Sequence, residues 1–319
     1  MKETGLWQFI SDHLQRQIPV ILLAVLDYEK GSPGKTGFKM AVTKDSTFGT
    51  IGGGVMEFNL ITLSREFLAS AMPVRIIKKL VHSPHTSIGE PSGLICAGSQ
   101  TLGILSLGYE DVEAAINILS ALKWYAPSHL VLSHTGLQFH MGKEPAHSEF
   151  HWIEGQQWQY RENVGSEYTV YIIGGGHVGL ATARVMQTLD VNVVLIDDRD
   201  DAPAIKDQSL LVRKIVASYE TTAQHVEEGE KSFIVTVTSA IQSDRMALQS
   251  ILGKKFGYIG LMGTQAKISK ILNSFSPSEK KLFNGIHAPI GIDIKSKTVE
   301  EIAVSIAAEV IREKNKHLE

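Results

Sequence analysis

Apolar positions along the chain follow two alternating rhythms. Largely unbroken runs of strand length occur at 20–26 (VILLAVL), 101–107, 170–173, 192–196, 210–216, 232–238 and 256–261. Between them lie stretches in which apolar residues return every three or four positions, the period of a helix with one buried face. In the first half this predicts a helix over 6–17 with Trp7, Ile10 and Leu14 on one side, then a strand over 20–26 buried on both faces. Strands at 39–43, 74–81, 101–107 and 129–133 follow, with helices through Met56, Leu60, Leu63 and Phe67 and over 111–123. From 136 to 166 the rhythm dissolves into polar, irregular sequence with Gly142, Pro145 and Gly155, read as the tail of a first domain running into a linker at 161–167. The second half is regular. Helices at 244–252, 264–275 and 298–314 alternate with the strand runs, and Ser276-Pro-Ser-Glu279 and Thr298-Val-Glu-Glu301 both fit capping boxes. Strand–helix alternation of this kind builds a parallel sheet with helices on both faces. The expected fold is α/β: an N-terminal α/β domain with a glycine-rich loop over 1–160, and a C-terminal Rossmann-like doubly wound parallel sheet over 168–319.

Composition narrows the class without naming a function. A length of 319 residues suits two domains, and 31 basic against 34 acidic residues leave a charge of −3, which offers no nucleic-acid footprint. A single cysteine rules out an intramolecular disulfide and fits a reducing compartment. No apolar run approaches the ~20 residues of a membrane span, and Met1-Lys2-Glu3-Thr4 has no signal-peptide core. The expected location is the cytoplasm.

Candidate chemistry gathers at two glycine clusters. The run 170–173 leads directly into Gly174-x-Gly176-x-x-Gly179, and apolar residues then recur at Val178, Ala181, Val185 and Leu189. Strand, glycine turn and helix therefore arrive in the order of a dinucleotide-binding crossover, with Asp197-Asp198 ending the next strand, where a carboxylate can accept ribose hydroxyls. The plainer alternative is a tight turn in a sheet that binds nothing, although glycines cost about 0.5–1 kcal/mol each against alanine in backbone entropy. His177 opens the helix, as a ligand contact or as a solvated side chain. Lys267 falls in the first turn of a later helix, where a cation suits the dipole only if an anion is near. The second cluster, Gly49-Thr-Ile-Gly52-Gly53-Gly54, also opens a helix, and a loop of this kind binds phosphate or carboxylate. Glu57 in its first turn reads most simply as a capping acid. Cys96 sits between Gly93 and Gly98, either a small buried hydrophobe or a thiol in a loop that favours thiolate. His82-Ser-Pro-His85 has two histidines but no third ligand nearby, and His134, His140, His147 and His151 have no metal-type spacing.

Taken together, these pieces resemble the XdhC/CoxI family, accessory proteins of molybdenum hydroxylases such as xanthine dehydrogenase. The landmarks are Gly31-Ser-Pro-Gly34, Lys39-Met40, the triple glycine with Glu57, Cys96, the turn at Gly174, Gly176 and Gly179, Asp197-Asp198-Arg199, Gly260-Leu-Met-Gly263 with Lys267, and Ala288-Pro-Ile-Gly-Ile-Asp293. The resemblance implies binding of the molybdenum cofactor (molybdopterin, in some cases with a nucleotide), protection of it while a cysteine desulfurase installs its sulfido ligand, and delivery to an apo hydroxylase. It implies Gly52, Gly53, Gly54, Glu57, Cys96, Gly174, Gly176, His177, Gly179, Asp197, Asp198 and Lys267 as cofactor-binding residues, and Cys96 as the molybdenum ligand. Val55, Ile95 and Ala97 stand where parts of the family carry a further cysteine or a glycine, so thiolate ligation rests on Cys96 alone. A homodimer is expected from family and base rates. Two other readings stay open: an NAD(P)-dependent oxidoreductase, with Asp244 as its one candidate acid, and a structural subunit of a hydroxylase complex.

Overall fold

The computed structural model describes residues 3–70, 72–82, 90–91, 98–142, 148–154, 157–189, 191–283 and 285–316. They form two compact units, Met1–Gly165 and Ser166–Glu319.

The first unit opens with helix α1 (Glu3–Gln15) and strands β1 (Val20–Tyr28), β2 (Lys39–Val42) and β3 (Thr47–Gly49). Helix α2 (Gly54–Ser70), strands β4 (Arg75–Val81), β5 (Glu90–Pro91) and β6 (Ser99–Leu107), and helix α3 (Val112–Trp124) follow. One sheet runs β3-β2-β1-β6-β4-β5, with β1 antiparallel to both β2 and β6. The apolar run in β1 is explained by the two-residue period of a strand. Val20, Leu22, Ala24 and Leu26 enter a core with α1 and α3, whereas Ile21, Leu23 and Val25 enter a second core with Met56 and Leu60 of α2.

The stretch expected to be irregular is instead a second sheet. Strands β7 (Ser128–Ser133), β8 (Gly136–Met141), β9 (Glu149–Glu154) and β10 (Gln157–Asn163) are arranged β8-β7-β10-β9. Residues 161–163, expected in the linker, are paired with 129–131 of β7. Trp158 and Tyr160 of β10 join the α1/α3 core, and the third inward residue, Glu162, meets a buried cation, Lys39 of β2. Burial opposes the charge on Lys39, but Glu162 and Glu3 outweigh it and raise its pKa above the ordinary lysine range. Lys39, a family landmark by sequence, thus ties β2 to β10.

The second unit has the expected parallel sheet. Strands β11 (Thr169–Ile173), β12 (Asn192–Asp197), β13 (Arg213–Val216), β14 (Gly229–Thr236) and β15 (Phe256–Leu261) lie in the order β13-β12-β11-β14-β15, every neighbouring pair parallel. Helix α4 (His177–Met186) follows β11, and the short α5 (Pro203–Lys206) lies between β12 and β13. Helices α6 (Ile241–Ser250), α7 (Gln265–Asn273), α8 (Pro277–Leu282) and α9 (Val299–Asn315) complete the unit. The capping boxes at Ser276 and Thr298 are both formed. Strand order reverses between β11 and β14, so the ligand crevice of such a sheet opens at the carboxyl end of β11. No helix among the described residues is long and apolar enough to cross a membrane.

Candidate functional site

The turn after β11 owes its shape to three glycines with three separate tasks. Gly174 has φ of +113°, and a Cβ there would lie 2.9 Å from the amide of Thr238 after β14. A Cβ on Gly179 would fall 1.8 Å from the carbonyl oxygen of Gly174, so only glycine lets α4 pack this close to the strand end. Gly176, the N-cap of α4, has open space around it: an added Cβ meets nothing within 4 Å. No side chain caps this helix, and the bond from Leu180 N to Gly176 O (2.8 Å) leaves the preceding helical amides without an acceptor inside the helix. His177 is exposed beside them. The helix start is a seat for an anion, with the positive end of the helix dipole behind it.

Asp197 at the end of β12 has a different task from the ribose contact expected of it. Its side chain is fully buried. One carboxylate oxygen accepts from the Gly175 amide (2.5 Å) and Arg199 Nη2 (3.1 Å), the other from the Arg199 amide and Nε (both 2.9 Å). Burial works against the charge, but Arg199, the Gly175 amide and the Tyr219 hydroxyl outweigh it and hold the Asp197 carboxyl below its ordinary range. Asp197 therefore locks the glycine turn to the strand end, while the neighbouring Asp198 stays exposed.

Lys267 is also satisfied from within. Its Nζ lies 2.6 Å from Asp244 Oδ2, 3.0 Å from the Thr238 carbonyl and 3.4 Å from the Met262 carbonyl, which matches its three protons. Burial raises the Asp244 pKa even though Lys267 and the Thr238 hydroxyl, 2.5 Å away, favour its ionised form. The anion that the helix position of Lys267 calls for is thus Asp244.

The glycine cluster of the first unit differs from the expected anion site in the same way. Glu57 Oε2 accepts from the Thr50 hydroxyl (2.6 Å), the Ile51 amide (2.9 Å) and the Gly53 amide (3.1 Å), while the Gly52 amide donates to Thr50 Oγ1 (3.2 Å). The loop already holds a carboxylate of its own. Beside it, a Cβ on Gly34 would lie 2.3 Å from the Ile51 carbonyl oxygen, which accounts for the Gly31-Ser-Pro-Gly34 turn as a close-packing element. Sequence reading missed the polar cluster that fastens this corner. Ser32 donates to Gln100 Oε1 (2.8 Å), Gln100 Nε2 donates to the Ile51 carbonyl (3.2 Å), and His82 Nε2 lies 2.9 Å from Ser32 Oγ. Burial lowers the pKa of His82. With the Ser32 proton given to Gln100, the neutral imidazole is the donor to Ser32. No local pattern in the sequence joins these three residues. Cys96, and His85 of the two-histidine pattern, lie outside the described residues. No group of three metal-ligating side chains occurs among the described residues.

The hydrogen bonds thus separate the candidates. Glu57, Asp197 and Lys267 are engaged by the protein itself, and the Ile51, Gly52 and Gly53 amides are paired. The helix-start amides after Gly176, the His177 ring and the Asp198 carboxylate remain open at one strand-end crevice.

An uncharacterized Escherichia coli (strain K12) protein, YqeB, is 24% identical over 155 residues, covering 47% of this chain and 28% of that protein. A Bacillus subtilis (strain 168) protein, a probable xanthine dehydrogenase subunit, is 25% identical over 144 residues, 44% of this chain and 41% of that one. The chain thus spans less than half the length of these curated relatives. The crystal structure of a xanthine dehydrogenase from Bacillus halodurans shares the fold, with a TM-score of 0.72 over 99% of this chain and 96% of that chain at 18% identity. The model described as the XdhC Rossmann domain matches residues 170–310, and that of the XdhC and CoxI family matches residues 13–78. Together the two models match most of the chain, which belongs to the XdhC and CoxI family.

Proposed function

We propose that this protein binds the molybdenum cofactor by its phosphate and serves the maturation of a xanthine dehydrogenase-type hydroxylase, as a carrier or recruiting factor and not as a self-sufficient catalyst. The observation that carries the reading is the open helix start after Gly176: uncapped amides, free space and the positive end of α4 at the reversal point of a parallel sheet. A pterin phosphate, alone or extended by a nucleotide, fits that seat in charge and hydrogen-bonding character. The cofactor supplies the molybdenum centre the hydroxylase uses. The chain's own contribution is to hold the phosphate at the amides following Gly176, with His177 beside it. The family resemblance and the B. subtilis relative, a probable xanthine dehydrogenase subunit, support the choice of partner; a cysteine desulfurase is the further partner the reading calls for. The oxidoreductase alternative has less support, because its candidate acid, Asp244, is fully buried against Lys267 and Thr238.

Equilibrium binding of the free cofactor to the purified protein tests this. Gly176→Ala places a methyl group where the phosphate would sit but meets no protein atom within 4 Å, so it should leave stability within about 0.5 kcal/mol of wild type while weakening binding at least severalfold. Cofactor affinity absent from wild type, or unchanged in Gly176→Ala, would sink the proposal. Cys96→Ala in the same assay measures the contribution of the thiol.

A further inference from the structure

We propose that His287 is a phosphoryl-acceptor site, whose Nε2 takes the phosphoryl group of an acyl phosphate while Arg312 holds the phosphoryl oxygens. The site lies in the second unit at the outer edge of β15, and it is independent of the phosphate seat at the 174–179 turn.

The imidazole is held from three sides. Its main chain extends the sheet past β15: the His287 amide donates to the Ile259 carbonyl (2.8 Å), and its carbonyl accepts from the Leu261 amide (2.9 Å). The Tyr258 ring lies against it, with 4.6 Å between centroids. On the third side, Nδ1 lies 3.3 Å from Glu309 Oε1 of α9. That carboxylate is buried and filled from within. Oε1 also accepts from Arg312 Nη2 (3.0 Å), and Oε2 accepts from the Tyr258 hydroxyl and the Gly291 amide (both 2.7 Å). Burial works against its charge, but the Tyr258 hydroxyl, the Gly291 amide and His287 outweigh it and hold the carboxyl below its ordinary range. An ionised acceptor beside Nδ1 fixes the ring proton there and leaves the lone pair on Nε2. Nε2 has no partner among the described residues, and the side chain is 28% exposed.

The charges around the ring suit an anionic donor. Arg312 and His287 meet the same oxygen of Glu309, so guanidinium and imidazole are neighbours. Arg312 spends Nε on Glu313 and one Nη2 proton on Glu309, which leaves three of its five N–H groups without a partner among the described residues. A planar fork of N–H groups matches the oxygens of a phosphoryl group. The two acids are turned inward, Glu309 7% and Glu313 11% exposed, whereas Arg312 and Lys316 are 50% and 59% exposed. An acyl phosphate at this face meets two cations and a nitrogen lone pair. The lone pair of Nε2 forms the N–P bond, the P–O bond to the acyl group breaks, and the carboxylate leaves with that electron pair. The ring becomes cationic, its proton stays on Nδ1, and Glu309 stabilises the charge.

Incubation of the whole chain with acetyl phosphate, followed by peptide mass spectrometry without acid treatment, tests the proposal. Wild type should gain one acid-labile phosphoryl group at His287. His151 is the internal comparator: it is more exposed, at 59%, and lies 3.2 Å from Glu149, but that acid is itself 49% exposed. It should be labelled more slowly than His287. Arg312→Met should slow labelling of His287 roughly tenfold, the worth of one hydrogen bond to a charged group. In Glu309→Gln the side-chain oxygen stays with the Tyr258 hydroxyl and the Gly291 amide. The new amide then donates to Nδ1, moves the ring proton to Nε2 and should abolish labelling although the imidazole remains. Ring nitrogen-15 shifts of His287 in wild type read the proton's place directly, without any variant having to fold. No label at His287, equal or faster labelling of His151, unchanged labelling in Arg312→Met or Glu309→Gln, or a neutral wild-type ring protonated at Nε2 overturns the proposal.

Discussion

Removing the carboxylate of Glu57 should both loosen the first unit and create an anion site that the native protein lacks. One oxygen of this side chain takes three hydrogen bonds, from the Thr50 hydroxyl and the Ile51 and Gly53 amides, at 2.6, 2.9 and 3.1 Å. In Glu57→Ala the two amides lose their acceptor at a position only partly open to water. Loss of a helix cap costs about 0.5–2 kcal/mol, and hydrogen bonds to a charged group lie toward the upper end. Partial access of solvent to the loop discounts the sum, which leaves about 1–2 kcal/mol. For a unit of this size that corresponds to a fall in Tm of about 3–6 °C. Glu57→Gln keeps the shape and one neutral acceptor, and should fall between wild type and alanine. All four tryptophans, Trp7, Trp124, Trp152 and Trp158, belong to the first unit, so tryptophan fluorescence during urea unfolding reports on it separately. Added phosphate should restore a good part of the loss in Glu57→Ala, because the vacated amides then hold an external anion. Glu57→Ala with wild-type stability would refute the capping argument. Phosphate that stabilises the first unit of wild type as strongly as that of the variant would refute the claim that the native loop is already filled.

Two further outcomes concern the second unit. Gly179→Ala drives a methyl group to 1.8 Å from the Gly174 carbonyl oxygen and should cost about 3 kcal/mol or more, read as an earlier urea transition by circular dichroism, in contrast to the tolerated Gly176→Ala. The Ser209 hydroxyl and Arg184 hold the Asp207 carboxyl at about 2 against an ordinary 3.8. A depressed acid stabilises the folded state above its unfolded pKa and loses that contribution as pH falls through the folded one. Stability should therefore decline between about pH 4 and pH 2, and Asp207→Asn should flatten that part of the profile in unfolding experiments across a pH series.

How far the chain could be read before folding varied by region. In the second unit the central strands β11 and β12 are apolar because both their faces are covered, helices α7, α8 and α9 carry capping side chains at their starts, and three glycines state their spacing outright; the parallel sheet was legible for those reasons. The second sheet of the first unit was not. In β10, alternate residues Trp158, Tyr160 and Glu162 point inward, and the third of them breaks the apolar rhythm. A buried glutamate makes sense only once Lys39, far away in the chain, is seen beside it. Short edge elements such as β3, and the start of β13 only at Arg213, likewise depend on neighbours and not on local pattern.

The sequence alone determined the strand–helix order of the second unit, the glycine turns and the residue types gathered around them, because hydrophobic period and backbone freedom are local properties. Only the tertiary structure decided which of those residues are free to meet a ligand. Asp197, Glu57 and Lys267 are the right kinds of residue at a strand end and two helix starts, yet each is claimed, Asp197 by the Gly175 amide and by Arg199, Lys267 by Asp244 and two carbonyls, and Glu57 by the loop that opens its own helix. Asp198 and the amides after Gly176 are not. The physical reason is that a hydrogen-bonding group can be spent only once, and the partner that spends it is set by how the chain folds back on itself.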